Sequence, residues 1–191
     1  MVQDMNIDKK ALIDTYREFE GSLGCYALPG WSELPDIPLY MDQVITLIGK
    51  YLEEYTKALG TNTLLTPSMI NNYVKLGTIP APVKKKYTKV HIAYLLVVCT
   101  LKQTLDMATI QKLMPSEMPE EHIAVFYDSF VENQKKAFAY VTQKVTDVAN
   151  PIFALEDSNQ TRLNDLVMQV SASANICKIL TEKLCACEAE E

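Results

Sequence analysis

Apolar residues recur at helical spacing along nearly the whole of this chain, and prolines and glycines cut that pattern into segments. Leu12, Ile13, Tyr16, Phe19 and Leu23 share one face of a first helix over about residues 8–22. Gly24 to Pro38, with Pro29, Gly30, Pro35 and Pro38, reads as an extended connector, and its Trp31 is expected to anchor on a neighbouring helix rather than to hold a ligand. Val44, Ile45, Leu47, Ile48, Tyr51, Leu52 and Tyr55 predict a second helix over 39–58. Thr66-Pro67 opens a short third helix, with Thr as N-cap and Pro at the first helical position, and Gly77 closes it. Thr78 to Lys86 is a loop or small wing, Thr88 begins a fourth helix reaching about Thr104, and Asp106 caps a fifth that ends at Pro115. Pro119 starts a long helix that Asn150-Pro151 is expected to break, and a last helix runs from about Thr161 to Cys187. The fold class that follows is all-α.

Composition narrows the class further. With 48% apolar and 22% charged residues the chain has the make-up of a folded globular protein rather than a disordered one. The longest apolar run, Ile92 to Cys99, is far short of the roughly 20 residues that span a bilayer, and the polar start, Met1 to Lys10, is not expected to be a signal peptide. Five cysteines, scattered singly except for Cys185 and Cys187, predict reduced thiols and a cytoplasmic location.

The formal net charge of −6 argues at first against an anionic partner, but the charge is unevenly spread. From Tyr55 to Leu105 there is no Asp or Glu, while Lys57, Lys75, Lys84, Lys85, Lys86, Lys89 and Lys102 give the window +7 against −13 elsewhere. Lysines that merely solvate a surface do not account for 24 acids all avoiding one stretch, so the expected partner there is an anion. Within the window, Ser68, Asn71, Asn72 and Lys75 fall at offsets 0, 3, 4 and 7 and share one polar face of the short helix, with Ile70, Tyr73, Val74 and Leu76 free to turn inward. Asn can pair bidentately with adenine in the major groove, and Ser and Lys can take phosphate or base edges. Lys84-Lys85-Lys86 follows where a wing would meet the flanking backbone, giving affinity without sequence choice. Taken alone, the polar stripe fits a solvated helix face equally well. The order of helix, short capped helix, basic Pro-containing loop, tyrosine and helix is what singles it out.

That order carries a resemblance. The stretch Leu65 to Pro80 resembles the recognition-helix segment of the mercury-resistance-regulator (MerR) superfamily, whose helix ends in a tyrosine pair, a charged pair and a Gly followed by an apolar residue and often Pro. Lys86-Tyr87-Thr88 resembles the step that leaves the wing, and His91 to Leu101 and Met107 to Met114 resemble the two helices that follow. The chain is also similar to a bacterial family without an assigned activity, marked by Leu34-Pro35-Asp36-Ile37-Pro38-Leu39-Tyr40-Met41. The resemblance implies a winged helix-turn-helix domain over 38–114, double-stranded DNA as partner, and a DNA-binding set of Ser68, Asn71, Asn72, Tyr73, Lys75, Lys84, Lys85 and Lys86. Asn71 stands where the superfamily has Arg, Asn72 replaces the first tyrosine, Val74 replaces the acid, and Tyr73 is the tyrosine retained.

Catalytic chemistry has no comparable signal. The six glycines form no phosphate loop, HExxH and GxSxG are absent, and His91 and His122 stand alone, so the chain is expected not to be an enzyme and to need no cofactor. Cys177, Cys185 and Cys187 lack a fourth ligand, and no metal site is expected. Residues 1–37 read as an N-terminal helix with its connector, and 115–191 as a long helical hairpin. In the last helix Leu163, Leu166, Val170, Ser173, Cys177, Leu180, Leu184 and Cys187 form a seam of alternating three- and four-residue steps, close to a heptad. The preceding helix offers Ile123, Phe126, Phe130, Ala137, Val141, Val145 and Val148. Such faces suit either an internal hairpin or half of a homodimer interface. Two functions follow as expectations: a DNA-binding transcriptional regulator acting as a dimer, or an all-helical protein–protein interaction module that kept the fold without binding DNA.

Overall fold

Helices begin in this chain where a side chain or a proline can satisfy a first turn, and the computed structural model places eight α-helices among the described residues. These residues are 7–24 (backbone alone at 22–24), 27–61, 63–154 and 160–187. The helices are α1 (Lys9–Gly24), α2 (Met41–Tyr51), α3 (Glu53–Ala58), α4 (Pro67–Lys75), α5 (Lys89–Leu101), α6 (Met107–Leu113), α7 (Glu120–Phe153) and α8 (Gln160–Cys185). A single 3-10 turn, Trp31–Glu33, precedes α2, and the described residues contain no named strand. Leu23 and Cys25 lie outside the described side chains. None of the described helices is long and apolar enough to cross a membrane.

The chain divides into two units, residues 26–135 and residues 1–25 with 136–191. In the first, α5 is the axis of the core: every residue from His91 to Thr100 is buried. Its apolar character runs all round the helix, as expected of a helix enclosed on every side. Val44 and Ile48 of α2, Leu52, Ile70 and Tyr73 of α4, Ile110 of α6, and Ile123, Tyr127 and Val131 of α7 share its cluster. Each fully buried Leu or Ile side chain stabilises by about 1.5–3 kcal/mol relative to exposure. The connector is pinned to the start of α7, as the anchoring expectation for Trp31 required. Trp31 N–H donates to Asp128 Oδ1 at 2.7 Å, Tyr127 Oη donates to the Pro29 carbonyl at 2.9 Å, and the Trp31 and Tyr127 rings meet edge-on at 6.4 Å.

In the other unit α1 lies along the second half of α7. Tyr16 meets Phe153 with ring centroids 5.7 Å apart, Phe19 meets Phe138 at 6.4 Å, and the Tyr16 hydroxyl is hydrogen-bonded to Thr146 Oγ1. In α8, Leu163 and Leu166 are buried, whereas the seam from Val170 onward is exposed.

Two boundaries differ from the sequence reading. The helix expected over 39–58 is interrupted at Leu52 (φ −103°, ψ 13°), giving α2 and α3. Thr56 Oγ1 donates to the carbonyls of both Leu52 and Glu53, at 3.0 and 2.7 Å, while the backbone bonds from Leu52 N–H to Ile48 O and from Thr56 N–H to Leu52 O are kept at 2.9 and 2.8 Å. The break expected at Asn150-Pro151 does not occur, and α7 continues to Phe153. Pro151 costs the bond that an amide there would make to the Asp147 carbonyl, and the last turn is held instead by Ala154 N–H on the Asn150 carbonyl at 3.0 Å and by Phe153 against Tyr16.

Candidate nucleic-acid interface

The short helix α4 is fixed at both ends by its own sequence. Thr66 caps it, its side-chain oxygen accepting from Met69 N–H at 3.2 Å, and Pro67 takes the first position. At the other end Gly77 adopts φ +67°, Thr78 N–H donates to the Tyr73 carbonyl at 2.8 Å and Gly77 N–H to the Val74 carbonyl at 3.1 Å. This pair of bonds is the Schellman closure that a left-handed glycine permits. Gln111 of α6 ties the same end down, its Nε2 donating to the Leu76 carbonyl at 2.8 Å and to Thr78 Oγ1 at 3.0 Å.

With the ends fixed, the faces of α4 are fixed too. Ser68, Asn71, Asn72 and Lys75 are all exposed. Tyr73 is not with them: it is 5% exposed, lies in the core cluster, and burial pushes its phenol up to about 12. It supports the helix from beneath and offers no hydroxyl to the polar face. Leu76, expected inward, is instead 53% exposed, because the helix has already closed at Lys75.

The loop after α4 is a minimal hairpin. Val83 and Lys86 exchange both backbone bonds, Val83 N–H to Lys86 O at 3.1 Å and Lys86 N–H to Val83 O at 3.0 Å. Lys84 and Lys85 form the two-residue turn, at φ +50° and +62°. Two successive left-handed residues mark the I′ type of turn, which ordinarily takes Asn-Gly or Gly-Gly. Tyr87 then pairs with Leu39, each N–H donating to the other's carbonyl at 2.8 Å, so the hairpin base is held against the segment that enters α2. Lys86 Nζ lies 5.3 Å above the Tyr40 ring. Asn71 of α4, Lys85 of the turn, and Tyr40, Met41 and Asp42 at the start of α2 line one open cleft of about 660 Å³.

Electrostatics reduce the seven lysines of the acid-free window to a smaller set. Lys57 is paired with Glu53 and Glu54 at 3.0 and 2.8 Å, and Lys89 with Asp36 at 2.8 Å, where it also lies 5.2 Å above the Trp31 ring. Lys102 donates to the Leu64 carbonyl at 2.7 Å. Acids outside the window in sequence therefore fold back onto two of its lysines. Lys75, Lys84, Lys85 and Lys86 form no ion pair among the described residues. Asp42 is the acid in the cleft.

One histidine supports the site from behind. His91 Nδ1 accepts from Thr88 N–H at 3.0 Å and lies 2.9 Å from Thr88 Oγ1, capping α5 directly after the hairpin. Burial pushes its imidazole below the usual value. Tyr40, Asp42 and Gln111 escaped the sequence reading of the site. The apolar motif around Tyr40 draws attention to the backbone, and a lone Gln on α6 carries no periodic signal. Across the whole chain no curated protein and no solved structure matches. One family matches residues 29–130, a range that takes in the cleft and helices α2 to α6, and its description is a domain of unknown function, DUF1836.

Proposed function

The chain belongs to the DUF1836 family, and from that premise we propose that it is a DNA-binding transcriptional regulator, acting in the cytoplasm as a homodimer. In this reading residues 38–114 form a MerR-like winged helix-turn-helix. Helix α4 enters the major groove with Ser68, Asn71, Asn72 and Lys75 toward bases and phosphate, and Lys84, Lys85 and Lys86 hold the flanking backbone. Tyr73 serves by holding α4 to the core.

The observation that carries the reading is the lysine turn. Two adjacent lysines adopt a conformation that disfavours any side chain by about 1–2 kcal/mol per residue. They form no ion pair among the described residues, and the turn borders the same cleft as Asn71. Folding alone would be better served by Asn-Gly; phosphate contact requires the positive charge. The test is a DNA-binding titration at several salt concentrations, with the wild type beside Lys84/Lys85/Lys86→Ala. The triple variant is expected to bind more weakly and to flatten the log–log salt slope by up to roughly three units. Failure of the wild type to bind any duplex at low salt would end this reading.

A second reading has its own observation. Ile37 and Val83 are each 67% exposed and Tyr40 and Leu76 are also exposed, apolar surface that suits a protein partner. An interaction module of this kind would lose its partner on Val83→Asp and be indifferent to the triple lysine change.

A further inference from the structure

Three polar side chains of different hydrogen-bonding character line one cleft and leave their bonds unused. Asp42, in the first turn of α2, offers only acceptors, Lys85 in the hairpin turn only donors, and Asn71 on the polar face of α4 both. All three are exposed, and none has a side-chain hydrogen bond or an ion pair among the described residues. Asp42 is the member that lysine chemistry does not explain. Other acids that meet lysines of the acid-free window close on them, Asp36 on Lys89 at 2.8 Å and Glu53 and Glu54 on Lys57 at 3.0 and 2.8 Å. Asp42 shares a cleft with Lys85 and does not close on it. Nor is it needed to cap α2, because Gln43 Oε1 accepts from the Tyr40 N–H at 2.9 Å. The helix dipole favours an acid anywhere in this first turn, but it does not favour the position that faces the cleft.

A carboxylate in the path of DNA weakens attraction to phosphate, so what it can add is choice among bases. The lining carries one positive and one negative side chain, and a phosphate seated there would meet Asp42. A base edge carries no such charge. In the major groove guanine presents N7 and O6 and thymine presents O4, all acceptors that a carboxylate repels. Cytosine presents the N4 amino group, a donor. Adenine presents the donor N6 beside the acceptor N7, a pattern that the Asn71 amide matches with two bonds and a carboxylate with one. We propose that Asp42 reads a cytosine through its N4 amino group, at a base pair next to an adenine read by Asn71.

This role rests on the proposed binding of duplex DNA, and the two fail differently. The full chain selects duplexes from a pool randomised over about two helical turns, roughly 20 base pairs, beside Asp42→Asn and Asp42→Glu. Circular dichroism checks that each variant keeps its helices. The wild type is expected to select sites with one fixed cytosine beside an adenine, and to lose roughly fivefold or more in affinity when that cytosine alone is replaced. Asp42→Asn should turn to adenine at the same position and bind duplexes without the cytosine more tightly than the wild type does. Asp42→Glu, which keeps the acceptor, should retain the cytosine. Should Asp42→Asn lose its helices, Asp42→Ser takes its place and should lose the preference. A wild type that selects no such cytosine, or an Asp42→Asn protein that selects the same one, overturns the role of Asp42 and leaves the lysine contacts standing. A lower melting temperature with an unmoved preference also overturns it, making Asp42 a helix-start residue alone. A wild type that binds no duplex at low salt overturns the regulator reading, and this role with it.

Discussion

Lys84 and Lys85 carry opposite demands in the same two side chains, and substitution separates them. Lys84→Asn with Lys85→Gly supplies the residues an I′ turn prefers and is expected to raise unfolding stability by about 1–2 kcal/mol, read by chemical denaturation. The same change is expected to weaken DNA binding. If affinity instead rises with stability, the turn serves the fold alone. His91 gives a second prediction. Its folded pKa lies below the usual 6.5, so the unfolded chain binds the proton more readily. The associated stability is fully present above 6.5 and is lost as pH falls through the folded value. Thermal melts of the wild type should therefore fall on acidification below that range. His91→Gln, which keeps an acceptor for the Thr88 N–H, should show a smaller fall. Cys99 is the third: buried, with its thiol pushed up to about 11 by burial, it should resist iodoacetamide until the chain is denatured. At this scale the sequence was partly legible. The polar stripe of α4 could be read from spacing alone. The loss of Lys89 to Asp36 could not, because the two are 53 residues apart and meet only through the fold.

At the scale of elements, starts and stops were the most legible features, since caps are local chemistry. Thr66, Gly77, Asp106 and Pro119 all lie where their residue types suggested, with Asp106 accepting from Thr109 N–H at 2.7 Å and Pro119 O receiving the first α7 amides at 3.0 Å. Gly77→Ala tests the closure of α4. A Cβ there would meet open space, so its expected penalty of about 1 kcal/mol is conformational, and it should appear as a lower denaturation midpoint with an unchanged denaturant slope. The break at Leu52 and the passage of α7 through Pro151 were not legible. The first is a change in the backbone angles of one residue, Leu52, with the ladder bonds on either side kept, and the second goes with an aromatic contact to α1. Helical spacing reports which face is apolar, and it is silent on how the ladder bends.

Over the whole molecule, helical content followed from the sequence, but the grouping of helices did not. The N-terminal helix belongs with residues 136–191, through pairs such as Tyr16 and Thr146 that are 130 positions apart. The family match and the first unit nearly coincide, at 29–130 and 26–135. The candidate interface lies wholly within both. The enclosure of α5 has a consequence for how that interface exists in time. A helix covered on one side can fray while its neighbours stay in place, but ten consecutive buried residues give solvent no side from which to enter. The amide hydrogens of residues 95–99 should accordingly exchange with deuterium only when the unit opens as a whole. Helix α4 and the lysine turn are thus expected to be presented by a body that opens as a whole, so that the candidate surface is not loosened from within.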